Sequence, residues 1–236
     1  MIPMNALICF FGVDGSGKST LSSYLYEELK RREMDVSYTW WFEGDNTWLR
    51  RFLRKFVKNV QTTSDSPGSK NATLNENLEM SESNKYLVKI FKNTFPWLVF
   101  VDYFKFTILN LTIPMKFKSK KVMIFDRFYL DTVFAIYKEF NLSKNTFFKV
   151  IGIYKRLIGT PDIIFIIHVK PETALSRKKD EIKTLDNAKR VSKDYKYLYS
   201  LLEKIYPDNV INIDGNSDLK TAKSQILEHT LNLLGD

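Results

Sequence analysis

One glycine-rich turn carries the clearest chemistry in this chain. Gly12-Val13-Asp14-Gly15-Ser16-Gly17-Lys18-Ser19 fits the pattern G-x-x-x-x-G-K-[ST] at every fixed position, and holds three of the chain's nine glycines. Glycines let the backbone curl until several N–H groups converge on one point, and a helix starting there adds positive potential. Both features suit phosphate oxygens. On this reading Gly12, Asp14, Gly15, Ser16, Gly17, Lys18, Ser19 and Thr20 form a nucleoside-triphosphate site. Lys18 reaches the terminal phosphates and the Ser19 hydroxyl is placed to ligate magnesium. Such a string also arises by chance, so its flanks matter. The apolar run Ala6–Phe11 precedes it, and Leu21, Leu25 and Leu29 recur at helical spacing after it, which gives the strand, loop and helix that the motif requires.

A second pair with chemical potential is Asp126-Arg127, at the end of the apolar run 121–126. An arginine fork can grip an acceptor phosphate with two hydrogen bonds, and a neighbouring carboxylate can orient magnesium-bound water or the acceptor. The same two residues would equally make a structural ion pair at a strand terminus. Moving a phosphoryl group requires donor phosphates held fast, charge neutralised on the transferring oxygens, and an acceptor in line. Lys18 with Ser19 and magnesium serve the first two needs, and Arg127 serves the third.

Regular elements must position these groups. Continuous apolar or β-branched runs predict strands at 6–11, 35–42, 121–126, 162–169 and 209–213. Helical patterns follow the loop at 19–31 and recur at 85–94, 97–112, 129–139, 144–158, 171–179, 186–205 and 217–234. Strands alternating with helices predict an α/β fold of the P-loop NTPase type: a three-layer sandwich whose five-stranded parallel sheet is wrapped by helices. Residues 61–84, dense in Ser, Thr, Asn and Glu around Pro67-Gly68, read as a flexible polar insertion after the second strand. The insertion is either a lid over an acceptor site or a loop without function. Residues 1–236 are expected to make a single domain, for which the length suffices to bury roughly 70% of the unfolded surface.

Composition narrows the classes. Cys9, the single cysteine, lies in the first strand and reads as a small buried hydrophobe, which excludes internal disulfides. His168 and His229 are too few and too distant in sequence for a zinc site. No signal peptide is expected at the N-terminus. The apolar stretch Phe95–Phe117 is interrupted by Asp102, Lys105, Asn110 and Pro114, so a buried helix is expected there and no membrane span. A net charge of +9 favours anionic partners. Nucleotides satisfy that as well as nucleic acid does, and the lysine cluster 116–121 reads as a solvated connection. The expectation is a cytoplasmic protein with small anionic ligands, without nucleic-acid or membrane partners.

Three blocks together carry a family resemblance. Phe11-Gly12-Val13-Asp14-Gly15-Ser16-Gly17-Lys18-Ser19-Thr20-Leu21 resembles the opening of thymidylate kinases, and Ile124-Phe125-Asp126-Arg127-Phe128 resembles their Asp-Arg-aromatic motif. Pro161-Asp162-Ile163-Ile164-Phe165, followed by Val169-Lys170-Pro171-Glu172-Thr173-Ala174-Leu175-Ser176-Arg177, resembles their approach to a mobile lid. The resemblance implies ATP-dependent transfer to a nucleoside monophosphate, first of all dTMP + ATP to dTDP + ADP, with ATP and Mg2+ as cofactors. It implies a catalytic set of Asp14, Lys18, Asp126, Arg127 and Arg177, metal ligation by Ser19 and Asp126, and allows a homodimer. Position 15 is glycine, so the loop lacks the arginine that some family members carry. A lid at about 177–186 is then expected to supply one, with Arg177 the candidate and Lys178 and Lys179 as helpers. A solvated basic helix end is the other reading of that run.

The acceptor side departs from the family pattern. Trp40-Trp41-Phe42-Glu43-Gly44-Asp45, then Arg50, Arg51 and Arg54, stand where the family has Arg-Glu-Pro-Gly-Gly or Phe-Pro-Arg loops. Asp102-Tyr103 replaces Asp-Arg, and Asp131-Thr132 replaces Ser-Thr or Ser-Asn. Tyr for Arg at 103 removes a charge-assisted hydrogen bond worth roughly 1.5–3 kcal/mol. Phe100, Tyr103 and Phe104 are either a base-stacking surface or core. Two alternatives therefore stay open: a related kinase with another small acceptor, and a P-loop nucleotide-binding protein that transfers nothing.

Overall fold

The structure, a computed structural model, describes residues 5–40, 101, 121–139, 143–178 and 184–235. Within these, five strands form one sheet: β1 (Asn5–Gly12), β2 (Val36–Trp40), β3 (Lys121–Asp126), β4 (Ile163–His168) and β5 (Val210–Asp214). Six described helices accompany it: α1 (Lys18–Arg31), α2 (Tyr129–Glu139), α3 (Lys144–Ile158), α4 (Pro171–Arg177), α5 (Leu185–Ile205) and α6 (Leu219–Leu234). The sheet order is β2-β3-β1-β4-β5 and every pairing is parallel. This is the α/β P-loop kinase architecture.

The apolar run of β1 is continuous because both of its faces are covered. Side chains alternate across a strand, so Ala6, Ile8 and Phe10 face one layer while Leu7, Cys9 and Phe11 face the other. The first set packs with Leu21, Leu25 and Leu29 of α1 and with Ala222, Ile226 and Leu234 of α6. The second packs with Phe128, Leu130 and Val133 near the start of α2, Phe147 and Ile151 of α3, and Leu198 and Leu202 of α5. Each fully buried Leu, Ile or Phe contributes about 1.5–3 kcal/mol. Cys9 is buried and free, as its position in the run implies.

Strand order sets where a ligand can sit. β1 is central, with β3 on one side and β4 on the other. The chain winds outward in both directions from it, and the carboxyl ends of β1, β3 and β4 flank the crevice where binding sites form in such sheets. The register brings Phe10 opposite Asp126 and Gly12 opposite Ile167, so the glycine-rich turn emerges between the end of β3 and the end of β4. At the opposite edge, the Asp162 carboxylate accepts the Leu7 N–H at 2.7 Å and pins the entry of β4 to β1.

Boundaries differ from the sequence expectation where caps act. The last helix starts at Leu219 instead of 217 because the Asp218 carboxylate accepts the N–H groups of Lys220 and Thr221. Thr184 caps α5 by accepting from Asn187 N–H, one residue earlier than expected, and α4 closes at Arg177 instead of 179. The expected insertion 61–84, the helices 85–94 and 97–112 and the acceptor-side residues 41–54 and Tyr103 lie outside the described residues, Val101 excepted. No helix among the described residues is long and apolar enough to cross a membrane.

Candidate functional site

The turn between β1 and α1 is tightly curled. Its Ser16 N–H donates to the Val13 carbonyl at 3.0 Å, and Gly15 and Gly17 stand in the left-handed region at φ 82° and 95°. At Gly15 a Cβ would lie 2.6 Å from the Ala174 carbonyl oxygen of α4. A side chain there, arginine included, would require α4 to move. That is a physical reason for the bare loop at position 15.

Lys18 is 5% exposed, and its ammonium lies 3.0 Å from Asp14 Oδ1 and 3.4 Å from the Val13 carbonyl. An ammonium has three donors, so one remains for a phosphate oxygen. Asp14 is shared: the Arg127 guanidinium also donates to Asp14 Oδ1. Burial pushes the Asp14 carboxyl up, but the adjacent Lys18 and Arg127 charges outweigh it and hold the group below the usual carboxylate range. One ionised carboxylate thus joins the loop's cation to the cation at the end of β3. Ser19 and Thr20 are exposed in the first turn of α1, while the Ser16 hydroxyl is buried with no hydrogen-bond partner among the described residues.

Asp126 and Arg127 are adjacent in sequence and have different partners. Arg127 has φ 70°, a left-handed conformation that costs a non-glycine residue about 1–3 kcal/mol, and its N–H donates to the Phe10 carbonyl at 3.2 Å. Asp126 is buried. Its Oδ2 accepts the Tyr38 hydroxyl at 3.2 Å, and its Oδ1 has no hydrogen-bond partner among the described residues. A buried carboxylate oxygen left unsatisfied is costly and calls for an explanation. An oxygen-seeking cation gives one, since Mg2+ takes one or two carboxylates and completes its shell with phosphate oxygens and water. No group of three or more His, Cys, Asp or Glu among the described residues could hold a metal by itself. The residues fit a phosphate-dependent magnesium site, to which Asp126 and Ser19 could each offer an oxygen.

Asp131, in the first turn of α2, belongs to the same electrostatic cluster. Burial pushes its carboxyl up to about 7, Arg127 and Lys18 pull it down, and Asp14 and Asp126 raise it further. From α5, the phenols of Tyr195 and Tyr199 face it, both raised chiefly by burial with the Asp131 charge adding to the effect. A carboxyl whose folded value exceeds its unfolded one stabilises the protein fully below about pH 4, and that stability is lost as pH rises towards 7. The rise from 3.8 to about 7 corresponds to at most about 4 kcal/mol. Asp131→Asn is expected to flatten the melting temperature between pH 4 and 7 and to be more stable than the native protein at pH 8. Melting curves that stay parallel across that range would remove Asp131 from the cluster.

Arg177 stands at the last turn of α4, on the far side of the loop. Its Nη1 donates to the Gly15 carbonyl at 3.4 Å and its Nη2 to the Gly215 carbonyl at 3.1 Å. Asn216 Oδ1, in the turn after β5, accepts from Lys170 N–H at 3.0 Å and from the Thr173 hydroxyl at 3.1 Å. The helix is therefore latched between the phosphate loop and the β5–α6 turn. Of the expected lid at 177–186, residues 179–183 lie outside the described residues.

No known family profile matches the chain. Curated relatives do. A protein named "Thymidylate kinase" from Leptospira interrogans serogroup Icterohaemorrhagiae is 26% identical over 234 residues, 94% of this chain and 91% of the relative. One of the same name from Leptospira borgpetersenii is 26% identical over 226 residues, 88% of this chain and 84% of the relative. A "Probable thymidylate kinase" from Sulfolobus acidocaldarius is 22% identical over 228 residues, 97% of this chain and 95% of the relative. The chain is thymidylate kinase-like.

In this thymidylate kinase-like protein, the fold brings Asp126, Arg127 and Arg177 to the turn Gly12 to Thr20, with Lys18 and Arg127 both on Asp14 and Arg177 on the Gly15 carbonyl. Sequence reasoning passed over three participants. Tyr38, Tyr195 and Tyr199 read as ordinary aromatic residues of a strand and a helix. The signal for Tyr38 was parity: it pairs with Ile124, two residues before Asp126, and so shares that residue's face of the sheet. The tyrosines of α5 offered no comparable signal.

Proposed function

We propose that this chain is an ATP-dependent nucleoside monophosphate kinase, with thymidylate the first acceptor to test. One observation carries the reading. A strained arginine, Arg127, is joined through Asp14 to the phosphate-loop lysine, so a cation suited to a second phosphate stands beside the donor-phosphate loop. Backbone strain of this kind marks sites where geometry matters more than stability. The names of the relatives point to the same class of reaction.

The loop N–H groups and Lys18 hold the triphosphate of ATP. Ser19 and Asp126 would hold Mg2+, whose chemistry there would be to neutralise phosphate charge. Arg127 grips the monophosphate bidentately and aligns its oxygen with the γ-phosphorus; that P–O bond forms as the bond to the ADP oxygen breaks. Asp14 keeps Lys18 and Arg127 at fixed separation despite their like charge. Arg177, against the loop at Gly15, is the candidate to stabilise charge on the transferring group. The reading takes residues 1–236 as one kinase domain working in the cytoplasm.

A second reading keeps the kinase and changes the acceptor. It is favoured by Asp131, a carboxyl in the cluster at a position where thymidylate kinases commonly carry serine. A coupled assay of ADP release against a panel of nucleoside monophosphates, with water and single-stranded DNA as controls, tests both. Turnover highest with dTMP supports the first reading. Turnover with another monophosphate supports the second, and release with water alone rejects both.

A further inference from the structure

Two hydroxyl groups, those of Ser22 and Tyr38, lie between Ser19 and Asp126. Ser19 opens α1 and Asp126 ends β3, on separate elements. The Ser22 hydroxyl, buried one turn along α1, donates to the Ser19 carbonyl at 3.2 Å and lies 3.4 Å from the Tyr38 hydroxyl. Tyr38 in turn donates to Asp126 Oδ2 at 3.2 Å. We infer that Tyr38 is a positioning residue: it holds Asp126 through Oδ2 and leaves Oδ1 to the Mg2+ that Asp126 and Ser19 would hold.

Three features support this assignment. A carboxylate has two oxygens, and the tyrosine occupies only one, so rotation of the group is stopped while the second oxygen stays available. The phenol has a single proton. With that proton on Asp126, the one proton of Ser22 goes either to the Ser19 carbonyl or to the Tyr38 oxygen, and in both cases the Tyr38–Asp126 bond is kept. The tyrosine ring is also fixed: it lies 5.9 Å from the Tyr26 ring of α1, and its strand pairs in register with β3, Tyr38 opposite Ile124 and Trp40 opposite Asp126. Loss of such a partner behind a metal ligand typically costs about 10–100-fold in metal affinity.

The inference rests on the proposed magnesium role of Asp126, and the test separates the two. ADP binding is titrated calorimetrically at a series of Mg2+ concentrations and in EDTA, for the native protein, Tyr38→Phe, Ser22→Ala and Asp126→Asn. Circular dichroism of each variant confirms folding. Tyr38→Phe is expected to shift the Mg2+ midpoint upward about tenfold, with ADP affinity in EDTA within twofold of native. Ser22→Ala should shift it less, in the same direction. A native midpoint in Tyr38→Phe, while Asp126→Asn shifts it, overturns the positioning role alone. An equal loss of ADP affinity with and without Mg2+ in Tyr38→Phe overturns it too, since a merely structural residue would behave so. A native midpoint in Asp126→Asn overturns both the metal role and the inference. If the Mg2+ shift appears as stated but no monophosphate accepts phosphate, the inference stands and the acceptor reading fails.

Discussion

Lys18→Ala is expected to remove turnover almost entirely while leaving a folded protein. The ammonium is the only side-chain cation within the phosphate loop itself, and its contacts, Asp14 and the Val13 carbonyl, hold it at the mouth of the cradle. Removing a positioned cation from developing phosphoryl charge costs several kcal/mol, or about a thousandfold or more in rate. Stability should change much less, because the Asp14 carboxylate keeps its contact with Arg127 and no apolar core residue is altered. Its carboxyl should, however, rise towards the ordinary range, since Lys18 is the first of the groups that lower it. The check is steady-state turnover alongside thermal melting. A folded Lys18→Ala protein with near-native rate would dismiss the phosphate-loop assignment.

What the sequence disclosed follows from which interactions are local. The phosphate loop is legible because its geometry is written in consecutive residues: glycines at 15 and 17 where φ is positive, an apolar strand before them and leucines at helical spacing after. The sheet was legible for a similar reason, since strands covered on both faces must read as unbroken apolar runs. The partners of those residues were not. Asp14 meets Arg127 from 113 positions away, and Tyr38 meets Asp126 from 88. Such pairings depend on sheet order and register, which no local pattern encodes. The expectation for Asp126-Arg127 shows the limit well. Adjacent charges of opposite sign read either as a functional pair or as a mutual ion pair, whereas the fold sends one to Tyr38 and the other to Asp14. The residues expected to read the acceptor base, 41–54 and Tyr103, lie outside the described part of the chain, so the acceptor rests on chemistry at its phosphate end.

That end is where Arg127 makes the sharpest prediction. The residue costs the fold something, because a non-glycine side chain at φ 70° is strained by about 1–3 kcal/mol. It is nonetheless held there by its own N–H on the Phe10 carbonyl and by its guanidinium on Asp14. A guanidinium carries its donors in a planar fork whose geometry matches a phosphate. Each charge-assisted hydrogen bond to that phosphate is worth about 1.5–3 kcal/mol, so losing a bidentate grip should weaken acceptor binding by about a hundredfold or more. ATP, bound by the loop and Lys18, should lose only a few-fold, through the loosened Asp14. Arg127→Ala is therefore expected to separate the two ligands, and Arg127→Lys to recover the charge but not the fork, restoring acceptor affinity in part. Calorimetric titration of a non-hydrolysable ATP analogue and of the monophosphate, each alone, measures the split. Equal losses for both would place Arg127 on the donor side or in a purely structural role, and the second phosphate would then have to be held by a residue elsewhere in the chain.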